Sequence, residues 1–168
     1  MSDKLVESIL AVCRVLNEQH VEYLTVGGTA VALHGYYRLS TNPAGAVADK
    51  PDLDVWYNPT YGNYFRLLKA LKALGQDVRA FEQEQAPNPR KSFFRYEFET
   101  FTLDLLPELK AALPFGASSR TREVLTLQDV AIPLISLADL LADKAANARP
   151  KDLIDIEQLK ANRKADEE

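Results

Sequence analysis

The hexapeptide Asp52-Leu53-Asp54-Val55-Trp56-Tyr57, set between Pro51 and Pro59, constrains the fold of this chain more than any other segment. Its length, flanking prolines and aromatic and branched residues predict a strand. Side chains alternate faces along a strand, so Leu53 and Val55 share one face while Asp52, Asp54 and Trp56 share the other. Aspartate is depleted in strand interiors, and a half-buried carboxylate without a partner is costly. The strand therefore belongs in a sheet with one face covered by apolar groups and the other meeting positive charge. Phe101–Leu106 repeats the pattern, with Phe101, Leu103 and Leu105 opposed to Thr102, Asp104 and Leu106.

The pattern around these runs alternates between helical and extended periods. Residues 3–19 repeat Leu5, Ile9, Val12 and Leu16 at helical spacing. Val21 to Val26 predicts a short strand, broken by Gly27-Gly28, and Thr29 to about Tyr37 predicts a second helix. Residues 39–51 carry small and polar residues with two prolines and predict a loop. Asn58 or Thr60 caps the next helix, whose apolar face includes Tyr64, Leu67, Leu68, Leu71 and Leu74 and which Gly75 ends.

Farther along, Val78–Phe81, Ser92–Glu99, Phe101–Leu106 and Arg120–Leu127 have strand character, and Pro114–Ser119 predicts a loop. Thr100 divides two of these strands as either a bend or a hairpin. Ser136 and Asp139 have the spacing of a capping box ahead of a helix over 137–148, and a last helix covers 151–159. The expectation is one domain over 1–168, with 137–161 as a C-terminal helical segment and 162–168 as a frayed tail. Its class is α+β, α/β-like in order, with a mixed sheet flanked by helices.

Composition narrows the partners. With 46% apolar and 26% charged residues the chain has an ordinary globular make-up, and its net charge of −4 gives no global attraction for a polyanion. The single cysteine, Cys13, excludes an internal disulfide framework. No apolar run approaches a membrane span, and the start of the chain reads as an amphipathic helix rather than a signal peptide. A cytoplasmic protein with no membrane partner is expected.

Asp52, Asp54 and Asp104 form a divided acidic set that a hard divalent ion such as Mg²⁺ would satisfy, because such ions take oxygen ligands. With three carboxylates converging, two ions could be held, and Asp104 would ligate the ion at the attacking hydroxyl or accept its proton. The alternative is that Asp52 merely opens its strand and that Asp54 and Asp104 pair with arginines. Gly27-Gly28-Thr29 at a strand-to-helix junction allows close backbone approach and offers N–H groups, with the Thr29 hydroxyl, to a phosphate. It is neither a P-loop nor the dinucleotide fingerprint. His20 and His34 are too far apart for a zinc pattern and are expected to be a surface or C-cap residue and a packing residue.

Leu24-Thr25-Val26-Gly27-Gly28-Thr29, the Asp52-Leu53-Asp54-Val55-Trp56 strand and Asp104 together resemble the polymerase-beta-like nucleotidyltransferase superfamily, nearest to its minimal members and to the abortive-infection (AbiE-type) toxin nucleotidyltransferases. Leu140 to Lys144 and Ala148-Arg149-Pro150-Lys151-Asp152 resemble the helical segment of such proteins whose lysine reaches the triphosphate. The resemblance spans about residues 20–160. It differs in one place: Arg38, Ser40 and Thr41 follow the glycine helix, but Asn42 to Pro51 then intervene before Asp52.

The resemblance implies the nucleotidyltransferase fold, with Asp52, Asp54 and Asp104 as catalytic residues and ligands of Mg²⁺ or Mn²⁺. It also implies that Gly27, Gly28, Thr29, Arg38 and Lys144 contact the nucleotide. The implied reaction transfers a nucleoside monophosphate from a nucleoside triphosphate to a hydroxyl of RNA, protein or a small molecule, releasing pyrophosphate. A place in a toxin–antitoxin pair, with a cognate antitoxin as partner, is the associated expectation. The alternative is a non-catalytic nucleotide- or partner-binding module that keeps the fold.

Overall fold

The computed structural model describes residues 3–35 and 50–167. Helix α1 (Asp3–Glu18) turns Leu5, Ile9, Val12, Cys13 and Leu16 inward, as its periodicity predicts. Strand β1 (Tyr23–Val26) is buried throughout and runs directly into α2 (Gly27–Leu33). Strand β2 (Asp52–Tyr57) leads to α3 (Tyr61–Ala73). Of the two candidate caps, Thr60 is the one used: its hydroxyl accepts the Asn63 N–H at 3.3 Å. Gly75 takes the left-handed conformation beyond the helix end, with φ +90°.

The remaining elements are α4 (Arg79–Glu82), a 3₁₀ turn (Pro89–Lys91), β3 (Phe94–Glu97), β4 (Thr102–Leu106), α5 (Phe115–Arg120), β5 (Glu123–Leu127), β6 (Val130–Leu134), α6 (Leu137–Asn147) and α7 (Pro150–Glu167). Four of them differ from expectation. Val78–Phe81 is not a strand, because the Asp77 carboxylate accepts the Arg79 N–H at 3.1 Å and starts a helical turn there. Pro114–Ser119 is not a loop: Phe115 opens a short helix and packs edge-on against Trp56 at 5.2 Å. Strand β5 starts only at Glu123, since α5 uses Arg120. The segment expected to fray continues α7 to Glu167.

Thr100 lies in a hairpin rather than a bend, with the Phe98 N–H bonded to the Phe101 carbonyl at 2.8 Å. A second hairpin joins β5 to β6 through Gln128 and Asp129, whose φ values of 47° and 65° suit a primed turn. Ser136 caps α6 by accepting the Asp139 N–H at 3.2 Å, while the Asp139 carboxylate meets Thr121 rather than closing the box.

One six-stranded mixed sheet results, in the order β3-β4-β2-β1-β6-β5. The β1–β2, β3–β4 and β5–β6 pairs are antiparallel; β2–β4 and β1–β6 are parallel. On one face, Leu53, Val55, Tyr57, Leu103, Leu105 and Ile132 pack with the apolar sides of α1 and α3. On the other, Leu24, Val26, Trp56 and Leu134 pack with residues of α2, α5, α6 and α7. Asp52, Asp54 and Asp104 lie on this second face, beyond Trp56. This puts the acidic set where β1 ends and β2 begins, at the entrance to α2.

Candidate active site on the acidic face

The parallel pairing of β2 with β4 sets Asp54 directly opposite Asp104 and Asp52 opposite Thr102. Across the other edge of β2, Val26 lies opposite Asp54, so the Gly27-Gly28 junction arrives beside the same carboxylate. Gly27 has φ +58°, and a Cβ built on it would lie 2.3 Å from Asp54 Oδ2. Only glycine fits this approach. The Gly28 backbone N–H acts on the same carboxylate and favours its charged form.

Thr29 has a different task from the one expected. It is buried, its hydroxyl donating to the Asp52 carbonyl at 3.3 Å and accepting the Asp54 N–H at 3.2 Å. It ties α2 to the backbone on both sides of Leu53 and so fixes the direction of the two β2 aspartates. Its hydroxyl is spent on that tie rather than offered outward to a phosphate.

Asp54 carries the electrostatic load. Burial and then the charges of Asp104 and Asp52 push its carboxyl up to about 6, against smaller opposing effects of the Gly28 N–H and Lys144. A carboxyl raised in the fold from its ordinary 3.8 costs stability when ionised. The penalty is absent below about pH 4, grows as the pH rises toward 6, and is complete above that. Asp54→Asn is therefore expected to be more stable than the parent at pH 7.5, by on the order of 2 kcal/mol, and to lose that advantage at pH 4. Urea midpoints at the two pH values measure it.

The other two carboxylates each have a further partner. Asp104 is held by Arg95, directly across the β3–β4 pair, through Nε at 2.7 Å and Nη2 at 2.9 Å. Asp52, at the exposed start of β2, accepts a hydrogen bond from the Thr102 hydroxyl. The arginine alternative thus holds for Asp104. The three carboxylates are oxygen donors on one face, the donor type a hard cation takes. Among the described residues, however, no group of three or more His, Cys, Asp or Glu side chains is arranged to hold a metal ion.

Lys144 does reach inward from α6, but toward acids of its own chain. It is 3% exposed and pairs at 3.1 Å with both Asp152 and Asp155 of α7, which are fully buried. Arg149 adds its Nε to Asp152 at 2.6 Å. Burial works to raise the Asp152 carboxyl, and the hydrogen bonds from Arg149 and Lys144 overcome it, holding the group at about 2. The amine is thus engaged by Asp152 and Asp155. Asp143 is buried as well and accepts the Ala111 N–H at 3.3 Å. Arg38 and the stretch 42–49 lie outside the described residues. His34 packs as expected, its Nε2 2.9 Å from the Ile135 carbonyl.

Thr102 and Asp155 are participants that sequence reasoning did not assign, and it did not pair Arg95 with Asp104 or Asp152 with Lys144. Alternation along Phe94-Arg95-Tyr96 signals that Arg95 faces away from the aromatic core, and a tight hairpin fixes it across from Asp104. The i,i+3 spacing of Asp152 and Asp155 signals one helix face, but not that Lys144 would meet it.

No protein-family model matches the chain, and no curated protein matches it in sequence. Solved structures do. The lincosamide antibiotic adenylyltransferase LnuA, lincomycin-bound, superposes with a TM-score of 0.55 at 16% identity, over 96% of this chain and 98% of that one. The antibiotic-resistance factor ANT(2'')-Ia gives 0.57 at 17%, over 98% and 92%. An antigenic nucleotidyltransferase-like protein from Paracoccidioides brasiliensis gives 0.52 at 14%, over 94% and 76%.

The fold is that of the nucleotidyltransferases. The likeness is to this fold at large and does not single out the abortive-infection toxins. Within the nucleotidyltransferase fold, a mixed sheet brings Asp54 and Asp104 into register and delivers the glycine junction beside them. Among the described residues, no helix is long and apolar enough to cross a membrane.

Proposed function

We propose that the chain transfers a nucleoside monophosphate from a nucleoside triphosphate to an acceptor hydroxyl, with release of pyrophosphate. The observation that carries this reading is the register of Asp54 with Asp104 across β2 and β4, with Gly27 and Gly28 packed against Asp54. Asp52 and Asp54, joined by Asp104, are the residues that would hold Mg²⁺ or Mn²⁺. When bound, the ion supplies charge neutralisation at the phosphates and lowers the pKa of the attacking hydroxyl.

The chain's own groups prepare that chemistry. Asp54, crowded by two other carboxylates, gains most from a cation. Thr29 holds the β2 backbone so that Asp52 and Asp54 keep one face. Asp104 is the acidic group across from them that would take the proton of the acceptor hydroxyl. Gly27 and Gly28 would line the phosphate side, joined by Arg38. Lys144 would act from behind Asp54 through its charge, because its amine is shared between Asp152 and Asp155.

The acceptor is RNA, protein or a small molecule. LnuA is described as an adenylyltransferase of lincosamide antibiotics and supports the small-molecule arm. The toxin–antitoxin role belongs to the RNA or protein arm, and growth arrest on expression that Asp54→Asn abolishes is its signature. A second reading, a nucleotide-binding module without turnover, is favoured by the intrachain partners of Asp104 and Lys144.

Incubation with each α-³²P-labelled nucleoside triphosphate, Mg²⁺ or Mn²⁺, and acceptor pools of RNA, protein and hydroxylated small molecules separates these readings. Label transfer is expected for the parent and is expected to fall at least a hundredfold in Asp52→Ala/Asp54→Ala. Nucleotide binding without transfer would favour the second reading. Neither binding nor transfer would overturn both.

A further inference from the structure

We propose that Arg95 is a built-in counter-ion of the acidic face: its guanidinium holds Asp104 in place of a divalent cation and must let go when the cation arrives. The inference rests on the metal-dependent reading above and identifies the residue that controls metal entry.

Both oxygens of Asp104 are engaged by Arg95, one by Nε at 2.7 Å and the other by Nη2 at 2.9 Å. A planar guanidinium matches a carboxylate in this two-pronged way, which makes the pair stronger than a single surface contact. An ion that takes an oxygen of Asp104 competes with it directly.

The two partners are placed differently. The Asp104 side chain is 15% exposed, so it stays on the sheet face; the Arg95 side chain is 66% exposed, on edge strand β3, with solvent to swing into. The exposed Phe93 ring, 5.9 Å from the guanidinium carbon, gives the cation a second surface that does not involve the carboxylates. Arg95 also feels the charges of Asp52 and Asp54. Arg95 thus serves the acidic set from the outer edge, while Lys144 and Arg149 act on Asp54 from the side of α6 and α7.

Two consequences follow from charge alone. Removing Arg95 leaves Asp104, in register with Asp54, without its two-pronged counter-charge, so the ion-free protein loses stability. The same removal frees Asp104, so a divalent ion binds more tightly. A residue that merely braces the β3–β4 hairpin would give the first effect without the second.

The test is Mn²⁺ titration of the full chain, followed by the electron-paramagnetic-resonance signal of the free ion and by calorimetry, for the parent, Arg95→Gln, Arg95→Lys and Asp104→Asn. Far-UV circular dichroism checks that each is folded. Arg95→Gln is expected to bind Mn²⁺ about two- to fivefold more tightly, the scale of one good exposed ion pair, with Arg95→Lys in between. Its melting temperature without metal falls, and added Mn²⁺ raises it by more than in the parent. In an Asp104→Asn background, Arg95→Gln is expected to give no gain. Equal or weaker Mn²⁺ binding by Arg95→Gln, with the parent binding, overturns the counter-ion role and leaves the metal reading standing. Absence of Mn²⁺ binding in both proteins overturns the metal reading and the counter-ion role with it.

Discussion

Gly27→Ala is expected to unfold at a markedly lower urea concentration than the parent and to lose the local geometry of Asp54. At φ +58° an alanine is in the left-handed region, which by itself costs about 1–3 kcal/mol. The added methyl would also lie 2.3 Å from Oδ2, 2.8 Å from Cγ and 2.9 Å from Cβ of Asp54. These atoms belong to a side chain anchored on an interior strand, with the neighbouring amide tied to Thr29, so they have little room to give.

Two comparisons make this prediction specific. Gly62→Ala in α3 puts its methyl 3.5 Å from Arg66 Nη1, an ordinary contact, and is expected to be neutral or to stabilise by about 0.5–1 kcal/mol. In an Asp54→Ala background, two of the three clashing atoms are gone. Gly27→Ala should therefore cost less there, leaving mainly the backbone strain. Additive costs for the two substitutions would show that the close approach of Gly27 to Asp54 carries no energy.

The legibility of the fold from sequence follows how local each determinant is. Strand β2 and the facing of Asp52, Asp54 and Trp56 depend only on a two-residue period between prolines, and they are found as expected. So are α1, the Gly75 end of α3 and the Ser136 cap, each fixed by neighbours within four residues. The short elements go astray. Val78–Phe81 has strand-forming residues, but the Asp77 side chain starts a turn and Phe81 docks on Phe94 at 4.9 Å. Phe115 likewise draws a proline-led segment into a helix by packing on Trp56, a contact across the fold that no local pattern carries.

The candidate site divides in the same way. Its acidic residues were legible because carboxylates in apolar strands demand partners. Which partner each one has is a tertiary matter, set by the β3–β4 register for Asp104 and by the packing of α7 on α6 for Lys144. Thr29 shows the limit most clearly. A hydroxyl beside a glycine pair looks like a phosphate ligand in sequence, whereas β2 lies close enough to use both its donor and its acceptor.

Lys144→Ala is expected to lower stability by about 3–5 kcal/mol in the absence of any nucleotide, because it strips a buried cation from two buried carboxylates. The pH dependence identifies the cause. Asp152 is held at about 2, below its ordinary 3.8, so its contribution is fully present above about pH 4 and is lost as the pH falls toward 2. Without Lys144 the Asp152 carboxyl moves up from there, so the variant has less stability to lose as the pH falls. The stability gap between parent and variant should therefore be widest above pH 4 and close as the pH drops through that window. Lys144→Met, which keeps much of the stem, should restore little, because the charge is what the aspartates need. Neutralising the whole set, as in Lys144→Met/Asp152→Asn/Asp155→Asn, should recover a large part of the loss. A lysine whose main task was to touch a triphosphate would behave otherwise: the nucleotide-free protein would keep its stability, and only nucleotide affinity would fall. Urea titrations between pH 3 and pH 8, without nucleotide, distinguish a clasp between α6 and α7 from a direct phosphate ligand.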